Sequence, residues 1–245
     1  MIYSDAHIHC SVYDSWQPFE NSPVCSAAHS EKEWEKLCLL KKQYPGLIYT
    51  SFGVHPQNPD HSLVFTLEKI LKTQHPDAVG EAGFDLFTAE YKENIKKQED
   101  VWYAQLELAQ QYNKPLIIHC RKVLDKIFAS SAQLRTLKAV VFHSYSYSPE
   151  EAASLRKKGI NAYFSFGKPL LNNHKNALRC VAELPLEWIL LETDGPYQTL
   201  KDELMTIPAD IFSVYTQLSS LRSIRVEDLN QVNINFMNVY SSSFE

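Results

Sequence analysis

The 245-residue sequence has only seven glycines and twelve prolines, too few for a linker-rich chain. No apolar run, such as Leu116-Ile117-Ile118 or Trp188-Ile189-Leu190-Leu191, approaches the ~20 residues of a membrane helix. The N-terminus, Met1-Ile2-Tyr3-Ser4-Asp5, has neither a basic segment nor an apolar one after it, so no signal peptide is expected. Cys10, Cys25, Cys38, Cys120 and Cys180 are odd in number and form no CxxC pair. That pattern excludes a disulfide framework and points to reduced thiols in a cytoplasmic protein. Cys10 and Cys120 each follow a histidine, but small buried strand residues account for them better than soft metal ligands do. An excess of positive charge is also lacking. Lys and Arg number 24 against 29 Asp and Glu, a net charge of −5, so contact with nucleic acid has to use a local patch. What remains, 44% hydrophobic and 22% charged, is the composition of a globular protein.

Short β-type runs alternate with amphipathic stretches along the chain. Eight strands are expected, at Ile2–Asp5, Pro23–Ala27, Leu47–Val54, Ala78–Glu81, Pro115–His119, Ala139–His143, Asn161–Ser165 and Trp188–Glu192. The clearest helix lies between Glu90 and Asn113, with Ile95, Trp102, Leu106 and Ala109 on one face and Asn113-Lys114-Pro115 to end it. Ser148 caps another, with Pro149 at its first position and Gly159 placed to close it. Residues 198–225 read as a long loop and a helix near Ile211–Leu221. Strand–helix alternation argues for parallel βα units, and about 250 residues is the size of a single-domain (β/α)8 barrel spanning 1–245.

Ligand-type residues gather where these strands end. His7 and His9 stand two apart, so in extended chain both imidazoles face one side. Later strands run into Glu81, His119, His143 and, through Glu192-Thr193, Asp194. His7 and Asp194 are 187 positions apart, and seven βα units over that span average about 27 residues each, near the ~30 of one such unit. All six side chains therefore converge at the C-terminal mouth of a barrel, where active sites of this fold lie. Buried imidazoles and carboxylates gathered at one point call for a cation. Four imidazoles and two carboxylates exceed the three protein ligands of a single open zinc site, and suit two ions bridged by a carboxylate.

These residues also sit in motifs. The sequence resembles the TatD family of metal-dependent deoxyribonucleases, among the amidohydrolase-like barrels. The resemblance rests on Asp5-Ala6-His7-Ile8-His9, Gly53-Val54-His55-Pro56, Gly80-Glu81-Ala82-Gly83-Phe84-Asp85, Leu116-Ile117-Ile118-His119-Cys120-Arg121, the segment from His143, and Leu191-Glu192-Thr193-Asp194-Gly195-Pro196-Tyr197. It implies a metal-dependent hydrolase cleaving DNA phosphodiesters, with His7, His9 and Asp194 around one divalent ion and His119 and His143 around a second. Glu81 would bridge them, Asp194 would accept the proton of the attacking water, and His55 would face substrate phosphate. The family implies Mg2+ or Mn2+, although this donor set also accepts Zn2+ or Ni2+. The implied substrate is single-stranded DNA or strand ends, and a monomer is the default. Three departures, Cys10-Ser11 after the first motif, Tyr147 where a glycine-containing turn is usual, and Gln198-Thr199 after the last, alter substrate-shaping loops and leave the ligands intact.

Four cations, Arg121, Lys122, Lys168 and Lys175, are expected in mouth-side loops, with Arg121 as a bidentate phosphate contact or else a partner of Asp85 or Glu192. Phe84, Phe87, Tyr145, Tyr147 and Tyr197 fall in the same loops; Tyr147 reads as a base platform or as a lid packed on Tyr145. The alternatives are a hydrolase of a small lactone, amide or phosphate ester and, further off, a non-catalytic barrel that senses metal or binds a nucleic-acid partner.

Overall fold

A computed structural model of the chain describes residues 2–241. Eight strands run parallel in sequential order: β1 (Asp5–Ile8), β2 (Val24–Ala28), β3 (Ile48–Phe52), β4 (Ala78–Asp85), β5 (Leu116–Arg121), β6 (Val140–Phe142), β7 (Ala162–Phe166) and β8 (Ile189–Leu191). The ring closes beyond β8, where the Asp194 N–H donates to the His7 carbonyl (2.9 Å) and the His9 N–H to the Gly195 carbonyl (2.8 Å). Helices α1 (Glu31–Gln43), α2 (Ser62–Thr73), α3 (Ala89–Glu93), α4 (Ile95–Gln111), α5 (Leu124–Ala129), α6 (Ser131–Leu134), α7 (Pro149–Lys157), α8 (Lys175–Glu183), α9 (Asp210–Arg222) and α10 (Asn230–Tyr240) complete the architecture. It is the (β/α)8 barrel expected from the alternation.

All eight expected strands form, six with ends within two residues of those expected and two displaced further. The first begins three residues later, at Asp5, because pairing starts only where Asp5 meets Val24 of β2. His7 is therefore inside the strand. β4 continues past Glu81 to Asp85, carried by Gly83 at φ +136°, where a Cβ would collide with the His119 carbonyl of β5. The expected helix between Glu90 and Asn113 is two, broken at Asn94. The Ser148 cap is a full capping box, with the Ser148 hydroxyl accepting from the Glu151 N–H and the Glu151 carboxylate from the Ser148 N–H. The expected helix after the long loop is α9.

Strand parity decides what fills the barrel. Outward residues such as Leu116, Ile118, Val140 and Phe142 pack under the helices. Inward residues at the lower end, among them Cys25, Ile117, Val141 and Leu190, meet Phe236, Val239 and Tyr240 of α10, which plugs the bottom. Two residues further along the same faces stand His119, His143 and Glu192, so the interior changes from apolar to ligand-type in one step of the pleat. No helix among the described residues is long and apolar enough to cross a membrane.

Candidate metal centre

Glu81 is buried at the centre of six imidazoles. Its Oε1 lies 3.2 Å from His7 Nε2, 3.5 Å from His9 Nε2 and 3.0 Å from His29 Nε2. Its Oε2 lies 3.6 Å from His55 Nε2, 3.4 Å from His119 Nδ1 and 2.6 Å from His143 Nε2. Asp194 adds Oδ1 at 3.6 Å from His7 Nε2 and 3.3 Å from His9 Nε2. Its backbone turns off β8 in the left-handed region at φ +54°, which aims the carboxylate back across the barrel. Donor atoms bound to one ion at about 2.1 Å stand about 3.0–3.4 Å apart, and half of these separations, those to His7, His29 and His119 from Glu81 and to His9 from Asp194, fall in that range. Two further features call for a cation. Neither ring nitrogen of the fully buried His7 has a hydrogen-bond partner, and His143 Nδ1 has none. Donor groups within reach of one ion also recur three times, as His7, His9 and Glu81, as His7, His143 and Asp194, and as His55, Glu81 and His119. The residues present fit a divalent metal centre.

A supporting layer orients them. Asp85 Oδ2 accepts from His119 Nε2 (3.1 Å) and Gln57 Nε2 (2.8 Å), which turns His119 Nδ1 toward Glu81. Glu192 Oε1 accepts from the Ser144 N–H at 2.7 Å and lies 3.9 Å from His143 Nδ1. Asp5 Oδ2 accepts from the Thr193 hydroxyl (2.6 Å) and Oδ1 from the Thr193 N–H (3.0 Å), tying the segment of His7 and His9 to that of Asp194. Gln198 Nε2 donates to Asp194 Oδ2 (2.6 Å) and Ser144 Oγ (2.7 Å).

The charges follow from burial and neighbours. Burial works against the Glu81 carboxylate, but the imidazoles of His143, His7 and His55 outweigh it and hold the group well below its ordinary range. Burial dominates at His7 and His55, each pushed down to about 4 and so neutral. At His119 burial is overcome by the bonds to Asp85 and Glu81, which hold the ring up to about 9. Glu192 is raised well above the carboxylate range by burial and by the charge of Asp194.

The sequence matches the family described as "TatD related DNase" over residues 5–241. The chain belongs to the TatD family of metal-dependent hydrolases. It is 33% identical over 169 residues to an uncharacterized metal-dependent hydrolase of Mycoplasma pneumoniae, covering 64% of each protein. It is 27% identical to the deoxyribonuclease TATDN3 of Homo sapiens, over 85% of this chain and 79% of that one. With the 3'-5' ssDNA/RNA exonuclease TatD of Erwinia billingiae the identity is 30%, over 66% and 63%. The crystal structure of YJJV, a TatD homolog from Escherichia coli, superposes with a TM-score of 0.84 at 22% identity over 98% of both chains, a likeness of fold.

An open cavity of about 870 Å³ lies over the TatD motifs, and His9, His29, His55, Arg121, Asp194 and Tyr197 are among its walls. The other five expected ligands come together around or beside Glu81. His55 is in the same ring, on the Oε2 side, and Arg121 stands at the rim with its guanidinium 4.0 Å above the Phe87 ring and 4.0 Å from Asp85. Tyr147 does not reach the cavity. Its hydroxyl accepts from the Val123 N–H (2.9 Å) and its ring packs on Tyr145, the lid-like packing rather than a base platform. Phe84 and Tyr145 are core residues, while Phe87 and Tyr197 are exposed at the mouth. Lys168 is buried and paired with Glu203 and, at 2.8 Å, Asp210, and Lys175 opens α8 away from the cavity wall. Sequence reasoning missed His29 and Asp85 as members of the site. In the structure both share the inward parity of their strands: His29 follows Cys25 and Ala27 just past β2, and Asp85 follows Glu81 and Gly83 on β4.

Proposed function

We propose that this protein hydrolyses DNA phosphodiester bonds, acting on single strands or strand ends, with two divalent cations, Mg2+ or Mn2+, which the residues around Glu81 would hold. The observation that carries this reading is the division of the six imidazoles, three to each oxygen of one buried carboxylate. His7, His9 and Asp194 serve the Oε1 side, and His119 and His143 the Oε2 side. Bound there, such ions supply an activated water and stabilise charge on the phosphate oxygens. Asp194 would take the proton of the attacking water, and its second oxygen is fixed by the bond from Gln198. The Gln57 N–H donates to His55 Nδ1 (3.2 Å), so the proton of that neutral ring is on Nε2, pointed into the cavity as a donor for a phosphate oxygen. Arg121 meets the phosphate at the rim, and Phe87 and Tyr197 offer exposed faces to unpaired bases. The human and Erwinia relatives, named for DNA and RNA cleavage, support the substrate class.

A second reading keeps the metal centre and takes a small ester or lactone. Among the described residues the cationic lining of the cavity is Arg121, Lys122 and Lys168, and Lys168 is already neutralised by two carboxylates. Incubation of metal-loaded protein with a single-stranded oligonucleotide, beside Asp194→Asn and a panel of lactones and phosphate esters, separates the two. Ion-dependent cleavage of the oligonucleotide, abolished in Asp194→Asn, is the expected result. Turnover of small esters alone by well-folded, metal-occupied protein would overturn the DNA assignment.

A further inference from the structure

The six rings around Glu81 form a closed circle, His7–His9–His29–His55–His119–His143, with neighbouring centroids 4.3 to 5.6 Å apart. Two adjacent members, His29 and His55, are pinned by backbone groups in opposite senses. His29 Nδ1 lies 3.0 Å from the Gly53 carbonyl oxygen, an acceptor without a proton of its own, so the hydrogen of that bond belongs to Nδ1. In the neutral ring Nε2 is then a bare lone pair, and it stands 3.0 Å from Glu81 Oε1. A lone pair and an anionic oxygen at that distance repel unless a cation serves both. At His55 the backbone N–H of Gln57 donates to Nδ1 and the proton is on Nε2, the reverse arrangement. Distance alone groups His55 with Glu81 and His119, but its tautomer makes it a donor.

We propose that His29 is a further metal ligand of this centre, presenting Nε2 on the Oε1 side of Glu81, while its neighbour His55 is not a ligand. The inference rests on the metal centre proposed above and extends its donor set. The site is built for the role. The Gly53 carbonyl is the outer-layer acceptor that metal-binding imidazoles generally have. The His29 N–H is itself held by Glu33 Oε2 at 2.8 Å, fixing the residue just past β2. His29 thus contributes from β2 what His7 and His9 contribute from β1.

The test is metal binding rather than turnover. Metal-free wild type, His29→Ala, His29→Gln and His55→Ala are titrated with Co2+, following its visible absorption, and with Mn2+ against a chelator. Both His29 variants are expected to bind at least about ten-fold more weakly, with an altered Co2+ band. His55→Ala is expected to keep the wild-type affinity and band. On the wild type, nitrogen NMR of labelled imidazoles reads the same point without a substitution, since the His29 Nε2 signal must move on addition of Zn2+. Unchanged affinity and band in folded His29→Gln, or an unmoved His29 Nε2 signal, would overturn the proposal and make His29 an ion-pair partner of Glu81. If the wild type bound no divalent ion, the proposed function would fall with it; binding by wild type and His29 variants alike removes only this inference.

Discussion

At the scale of single residues, the site is controlled by which protons its imidazoles hold. His119 carries a proton up to about 9 in the metal-free protein, because Asp85 and Glu81 stabilise the charged ring against burial. Metal ligation requires its removal, so binding at pH 7.5 is expected to release a proton, read by calorimetry in buffers of different ionisation enthalpy. Asp85→Asn removes the anionic acceptor behind the ring. It is expected to weaken metal affinity about 10–100-fold and to reduce the proton release; unchanged values for both would show that Asp85 does not position His119. The same shifts set the stability of the metal-free protein. His119 has a folded value above its unfolded one, so the native state holds more protons and loses stability as pH rises from 7 toward 9; Glu192, raised by burial and Asp194, acts in the same sense as pH rises through its folded value. His7 and His55, held down to about 4, are neutral in the folded state, and the fraction of a proton each binds near pH 7 when unfolded opposes this loss only slightly. Each retained proton is worth about 1.4 kcal/mol per pH unit. Urea midpoints of the metal-free protein at pH 7 and pH 9 check the sign, and a higher midpoint at pH 9 would contradict it.

At the scale of elements, the ring is joined where β1 meets the end of β8, and a polar clasp holds it. Thr193 gives both its hydroxyl and its N–H to the buried Asp5, and also accepts from the Gly195 N–H at 3.2 Å. Thr193→Val keeps the shape and strands one carboxylate oxygen. An expected loss of about 1–2 kcal/mol follows, with a fall in Tm of roughly 2–4 °C per kcal/mol for a chain of this size. A Tm equal to that of the wild type would place the closure elsewhere. This clasp also explains what the sequence hid. Ile2-Tyr3-Ser4 is as strand-like as the residues after it, but strand pairing begins at Asp5. The other strands were legible because both of their faces are largely buried and they read as mainly apolar or β-branched runs, broken by few polar residues such as Ser26, Thr50 and Ser51. His7, His9, Glu81, His119, His143 and Asp194 were legible because each interrupts or ends such a run. His29 was not, because two small residues, Ala27 and Ala28, precede it and the expected strand stopped one residue short. The inward direction of Asp85 depended on β4 continuing through Gly83, which only the β5 carbonyl beside it makes intelligible.

For the whole molecule, a net charge of −5 and a mouth with few free cations mean that the proposed DNA substrate would have to be held by the metal centre, Arg121 and base stacking. Arg121→Ala is expected to raise KM for an oligonucleotide several-fold with little change in kcat, and an unchanged KM would remove that contact. Added salt is expected to weaken oligonucleotide binding with a shallow slope, set by a few phosphate contacts. The central claim is that Glu81 bridges two cations. Anomalous diffraction from crystals of the protein equilibrated with Mn2+ tests it most directly. Two peaks are predicted, one against Oε1 beside His7, His9 and Asp194, the other against Oε2 beside His119 and His143. A single peak that leaves one Glu81 oxygen without metal, or no peak within reach of Glu81, would contradict it.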